Sequence, residues 1–104
     1  MKINTKVVKN MLEPTILNFL KETPMHGYAI MAKIHRKYGV WIGASSIYPT
    51  LNNLETEGLV SSTWDMNTSE RPRKVFFLTP NGRQTLHEYS VELKIIAQPI
   101  IAAC

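Results

Sequence analysis

Three features of the chain predict a mostly helical α+β fold: a winged helix-turn-helix extended by one long C-terminal helix. Three stretches carry apolar residues at helical spacing, two short β-branched and aromatic runs flank a polar turn, and the last quarter holds an a/d-type apolar stripe. In that order they read helix, helix, helix, hairpin, long helix. We find no repeat, low-complexity tract or linker, so residues 1–79 are expected to form the winged domain and 80–104 the terminal helix of one compact unit.

The first helix is expected from about Thr5 to Glu22, with Val8, Leu12, Ile16, Phe19 and Leu20 on one buried face. Pro14 falls inside this span, so either the helix bends there or its regular part begins near Glu13. Thr23-Pro24 stops it. A second helix from about His26 to Tyr38 turns Tyr28 (or Ile30), Ile34 and Tyr38 inward and ends at Gly39.

The third helix lies in SSIYPTLNNLETEGLV, starting at Ser45. With Ser46 as N-cap, Pro49 would occupy a first-turn position whose missing N–H costs no bond. At 100° per residue, Ile47, Leu51 and Leu54 share one face, and Pro49, Asn52, Asn53 and Thr56 share the opposite one. Tyr48 stands at the flank, and Gly58 ends the helix. LVSSTWDM and RKVFFLT, joined by NTSERP, form an antiparallel hairpin. Thr79 caps the last helix and Pro80 takes its first position. Leu86, Tyr89, Leu93, Ile96 and Ile100 make its stripe, Val91, Ile95 and Ile101 add apolar surface beside it, and Pro99 should bend or fray its end.

Composition narrows the function. The 104 residues suit one domain, and 44% hydrophobic with 19% charged residues is globular usage. No apolar run reaches the roughly 18 residues of a membrane span, and MKINTKVVKN lacks a signal core. With Cys104 as the single cysteine, no internal disulfide forms, and the expected location is cytoplasmic. His26, His35 and His87 lack metal-ligand spacing, and no nucleophile–base order, Gly-rich phosphate loop or carboxylate pair stands out. No catalytic residue, metal or cofactor is therefore assigned. Trp41 and Trp64 are expected at or near the core.

The net charge of +4 is unevenly spread. Residues 1–44 carry +5 and residues 67–83 carry +3, while residues 45–66 between them carry −3. The third helix thus has an uncharged outer front, although exposed helix faces are usually rich in Lys and Glu. It is either a surface helix facing water or a helix read by a partner. Ser45, Ser46, Asn52 and Asn53 both donate and accept hydrogen bonds, Asn pairs bidentately with adenine, and Pro49 and the Thr50 methyl suit a thymine methyl. Arg71, Arg73 and Lys74 at the hairpin are either a solvated loop or a grip on phosphates. The C-terminal stripe packs partly on its own first helix, but the helix is apolar on more than one side. A homodimer covers the remainder and offers two reading helices to half-sites about 34–36 Å apart.

MHGYAI at Met25–Ile30, SSIYPTLNNLETEGLVSS at Ser45–Ser62 and RPRKVFFLTPNGRQTL at Arg71–Leu86 together resemble the PadR-like transcriptional regulators. That resemblance covers roughly Ile16 to Leu93 and implies a dimeric DNA-binding repressor acting on a palindromic operator in double-stranded DNA. By position it implies that Ser45, Ser46, Tyr48, Pro49, Asn52 and Asn53 belong to the reading helix and Arg71, Arg73 and Lys74 to the wing. It also implies dimerisation through Leu86, Tyr89, Leu93, Ile96 and Ile100, in a shorter branch with a single C-terminal helix. Some short members hold aromatic drugs with a tryptophan in that helix, which this chain lacks, and Phe76-Phe77 stand where tyrosine is frequent. Alternative readings are a ligand-responsive regulator with a small aromatic effector and a winged-helix adaptor that binds protein.

Overall fold

The computed structural model describes residues 2–66 and 72–104. In chain order they form α1 (Thr5–Asn10), α2 (Leu12–Glu22), β1 (Met25–His26), α3 (Gly27–Tyr38), α4 (Ala44–Thr56), β2 (Val60–Asp65), β3 (Arg73–Leu78) and α5 (Pro80–Ala103). Helices α2, α3 and α4 surround a core in which Ile16, Leu17, Phe19, Ile30, Ile34, Ile47, Leu51 and Leu54 are fully buried. The wing closes one side of this core through Val60 and Phe76.

The expected first helix is two helices. Asn4 caps α1 by accepting from the Lys6 amide, and the chain resets at Met11. Pro14 explains the reset, because a proline ring clashes with the carbonyl four residues back and offers it no N–H. With α2 starting at Leu12, Pro14 sits in the first turn, where no intrahelical bond is lost. The apolar face is as expected, with Val8, Leu12, Ile16, Phe19 and Leu20 all buried.

In α3 the alternative Ile30 points inward, fully buried, and Tyr28 is 65% exposed. Gly39 ends the helix with φ 75°, a left-handed turn that favours glycine. The start of α4 differs from expectation. Its N-cap is Gly43, whose carbonyl accepts from the amides of Ser46 and Ile47, so Ser46 lies inside the helix. Pro49 is consequently an interior residue that removes the helical partner of the Ser45 carbonyl, a group on the exposed side where water can replace it. Gly58, with φ 78°, terminates α4 as expected.

The hairpin is an antiparallel pair running from Val60↔Leu78 to Asp65↔Arg73. Sequence reading missed β1, which adds a third strand through Met25↔Phe76 and His26↔Val75, giving the order β1-β3-β2. Two residues following Thr23-Pro24 show no alternation by which to recognise a strand.

Thr79 caps α5 as expected, accepting from the Gly82 amide at 3.0 Å, and its own hydroxyl donates to the Gly58 carbonyl at 2.7 Å. A Cβ at Gly82 would collide with the Leu59 carbonyl, so glycine lets α5 leave the body against the end of α4. Helix α5 continues through Pro99 to Ala103 rather than fraying there.

Candidate nucleic-acid interface

The outer face of α4 is built by exclusion. Burying Ile47, Leu51 and Leu54 turns Pro49, Asn52, Asn53 and Thr56 outward, and all four are exposed together with Ser45. Two hydroxyls are already engaged: Thr50 Oγ1 donates to the Ser46 carbonyl at 2.8 Å and Thr56 Oγ1 to the Asn52 carbonyl at 2.9 Å. Among the described residues, the side chains of Ser45, Asn52 and Asn53 make no hydrogen bond. Both amides keep their full donor and acceptor capacity for a partner. Ser46 and Thr50 are half-buried and contribute less.

Tyr48 joins α4 to α3. A Cβ added at Gly27 would lie 2.6 Å from the Tyr48 hydroxyl oxygen and ring tip, so only glycine admits the ring there. The Gly-Tyr pair on α3 and the Tyr-Pro pair on α4 are therefore two sides of one contact. Tyr48 remains 40% exposed.

Beyond Tyr48 an open groove of about 550 Å³ leads to the wing, lined by His26, Tyr28, Tyr48, Trp64, Pro72, Arg73 and Lys74. Of the expectation that the two tryptophans lie at or near the core, burial in the core is corrected: Trp64 is 59% and Trp41 50% exposed. Trp64 sits on the outer side of β2, opposite Lys74, whose Nζ lies 5.8 Å from its ring centroid. Lys74 also reaches Glu55 Oε1 at 3.9 Å, and Ser62 donates to the other Glu55 oxygen at 2.7 Å. Lys74 is thus drawn back toward α4, whereas Arg73 at the start of β3 is exposed. Arg71 lies outside the described residues. His26 Nε2 is buried without a hydrogen bond, 3.6 Å from Asp65 Oδ2.

The stripe on α5 divides in two. Leu86 and Tyr89 pack against the core, Leu93 is half-buried, and the Tyr89 hydroxyl donates to Glu13 Oε1 at 3.3 Å across to α2. Burial, followed by the Glu13 carboxylate, raises the Tyr89 pKa above the usual phenol value. Further on, Ile96 and Ile100 are 64% and 61% exposed, beside exposed Val91, Ile95 and Ile101. Among the described residues no helix is long and apolar enough to cross a membrane.

The sequence profile of the Transcriptional regulator PadR-like family matches residues 16–88. The Negative transcriptional regulator PadR of Bacillus subtilis is 28% identical over 91 residues, 86% of this chain and 50% of that protein, so the chain spans half the length of this relative. Transcriptional regulator Rv3488 of Mycobacterium tuberculosis is 30% identical over 86 residues, 83% of this chain and 78% of that one. Among solved structures, a PadR family regulator from Eggerthella lenta superposes with a TM-score of 0.84 at 28% identity, over 94% of this chain and 85% of that one. Bacillus subtilis PadR, solved in complex with operator DNA, superposes with a TM-score of 0.72 at 28% identity over 78% of this chain and 48% of that one. With its signature residues meeting at the Gly27–Tyr48 contact and its profile matched across both the helical core and the wing, the chain belongs to the PadR-like family of transcriptional regulators.

Proposed function

We propose that this protein is a homodimeric, cytoplasmic repressor that binds a palindromic operator in double-stranded DNA. The observation that carries this reading is the outer face of α4, uncharged, exposed and with both Asn52 and Asn53 amides free, beside a basic wing. In this reading Ser45, Ser46, Tyr48, Pro49, Asn52 and Asn53 enter the major groove, the two amides reading base edges, while Arg71, Arg73 and Lys74 hold the adjacent phosphates. The PadR relative solved with operator DNA supports it, as does its description as a negative regulator. Residues 1–79 carry the DNA contacts and 80–104 the dimer contacts. The exposed Ile96 and Ile100 of α5 support pairing with a second copy, because a bare isoleucine face in water is stabilised by burial.

Wild type and Arg73→Ala, titrated with a duplex from the gene's own upstream region across a salt series, test the mechanism. Loss of one phosphate contact per protomer lowers the slope of log affinity against log salt by about 0.9 for each contact. Identical affinity and slope for the two proteins would remove the wing from the interface.

A further inference from the structure

Five aromatic side chains among the described residues are at least 36% exposed, and four of them share one flank of α4. Tyr28, Tyr48 and Trp64 line the groove toward the wing, and Trp41 meets Tyr28 edge to face with ring centroids 6.3 Å apart. Trp41 also meets His35 edge to face at 5.7 Å. Tyr28 and His35 lie two turns apart on the same side of α3, so the Trp41 ring, in the loop before α4, is held against that helix while half its surface faces water. An aromatic strip results, from the loop ahead of α4, across the start of α3, to the turn end of the wing.

Neither packing nor salt bridges account for this strip. Its rings are oriented by their neighbours yet exposed. At the wing end it is bordered by Arg73 and Lys74, and at the α3 end by exposed His35. The nearby carboxylates are engaged: Glu55 by Ser62 and Lys74, Asp65 beside His26. The groove is open, so a small molecule there would stay largely solvated, whereas bound ligands are ordinarily enclosed. An extended anionic chain fits better. Aromatic rings with an N–H or O–H at one edge offer an apolar face to a sugar and a donor to a phosphate.

We propose that this strip seats the sugar–phosphate backbone of one DNA strand alongside α4, with Trp41, Tyr28 and Trp64 as positioning residues. The proposal rests on the DNA-binding reading above and adds to it a salt-independent share of the affinity. Ring–sugar contact releases no counterions, so its loss weakens binding without changing the salt slope, in contrast to the loss of Arg73.

Trp41 and Trp64 are the two tryptophans of the chain, so intrinsic fluorescence reports on the strip directly. Full-length protein is titrated with a random-sequence duplex and with its own upstream duplex. Tryptophan emission is expected to shift on both. Trp64→Leu and Tyr28→Ala should each weaken both duplexes by about five- to thirtyfold, as burial of a ring face implies. The salt slope and the ratio between duplexes should stay unchanged, and Trp64→Phe should restore most of the affinity. A gel shift with silent tryptophans, unchanged affinity in the variants, or a slope that falls as in Arg73→Ala would overturn the strip while leaving DNA binding intact. Failure of the wild type to bind either duplex would remove both readings.

Discussion

Helices α4 and α5 each leave a long surface uncovered, and the two surfaces differ in kind. That of α4 presents Pro49 beside Asn52 and Asn53, whose amides ask for hydrogen bonds without supplying charge. That of α5 presents Ile96 and Ile100 on its stripe, with Val91, Ile95 and Ile101 exposed on its other sides, and none of these side chains offers anything polar. The α4 face lacks the Lys and Glu that ordinarily solvate an exposed helix, whereas on α5 the exposed apolar side chains stand beside exposed Glu92 and Lys94. On the reading proposed above each surface has its own partner: base edges bordered by phosphates for α4, and another apolar helix for α5. A chain of this size cannot bury both faces by itself, and folding its own α5 back over α4 would hide unpaired amides under isoleucine.

The strongest way to break the contrast is to make α5 resemble α4. Ile96→Asn combined with Ile100→Asn removes two apolar side chains per protomer from the proposed pairing surface. At about 1.5–3 kcal/mol per buried side chain, four such losses raise the dimer dissociation constant by at least about four orders of magnitude. Sedimentation velocity should then show monomer at micromolar concentration, with the circular dichroism of the fold retained. A persistent dimer would place the interface elsewhere.

Next in size is Gly82→Ala, which tests how the two faces are joined. The added methyl meets the Leu59 carbonyl, a backbone group that cannot swing aside. Overpacking of this kind costs about 1–3 kcal/mol, and a denaturant midpoint measured by circular dichroism should fall accordingly. Gly27→Ala provides the control: its methyl meets the tip of the Tyr48 ring, which can rotate away. Stability should drop by less than about 1 kcal/mol while duplex affinity falls, because Tyr48 leaves its seat on α3.

Asn52→Ala sharpens the comparison from the α4 side. The side chain is exposed and unpaired, so thermal stability should change by no more than about 0.5 kcal/mol. Discrimination between the preferred duplex and one with a substituted base pair should fall by about 1–3 kcal/mol. Competition binding with the two duplexes measures this directly. Equal weakening on all sequences would mean that the residue touches backbone rather than bases.

How far these faces could be read from sequence depends on the kind of information each needs. The 3.6-residue period placed Ile47, Leu51 and Leu54 inside and the asparagines outside, because burial of one side fixes the other. The same logic placed Ile16, Phe19 and Leu20, and the Thr79-Pro80 pair located the start of α5. What failed depended on contacts distant in sequence. The pairing of Met25-His26 with β3 is set by Phe76 and Val75, about 50 residues away in the chain. Trp41 and Trp64 read as core or edge of core because of their size, and nothing local says that the core is already filled by Phe19 and Phe76. Ser46 read as a cap by residue type, yet Gly43 starts the helix because its extended backbone, not a side chain, directs the first turn. The outward placing of Pro49, Asn52 and Asn53 and the exposure of Arg73 were legible; the Gly27–Tyr48 contact and the aromatic strip required coordinates.

The smallest expected effect concerns the junction where α5 passes from covered to bare. The Tyr89 hydroxyl donates to Glu13, and burial together with that carboxylate raises the phenol's pKa in the folded state. A group whose pKa is higher folded than unfolded contributes stability that is fully present below the unfolded value, near 10 for tyrosine, and is lost as pH rises through the folded one. The α2–α5 contact should therefore loosen above about pH 10, where a deprotonated Tyr89 would face Glu13 with like charge. The ring is partly solvated, so the effect should stay below about 1 kcal/mol. Tyr89→Phe keeps the packing and removes the titration. Stability curves of the two proteins should run parallel through neutral pH and converge at alkaline pH. If they stay parallel there, the phenol's pKa is not raised in the folded state, and the Tyr89–Glu13 contact contributes nothing that depends on pH.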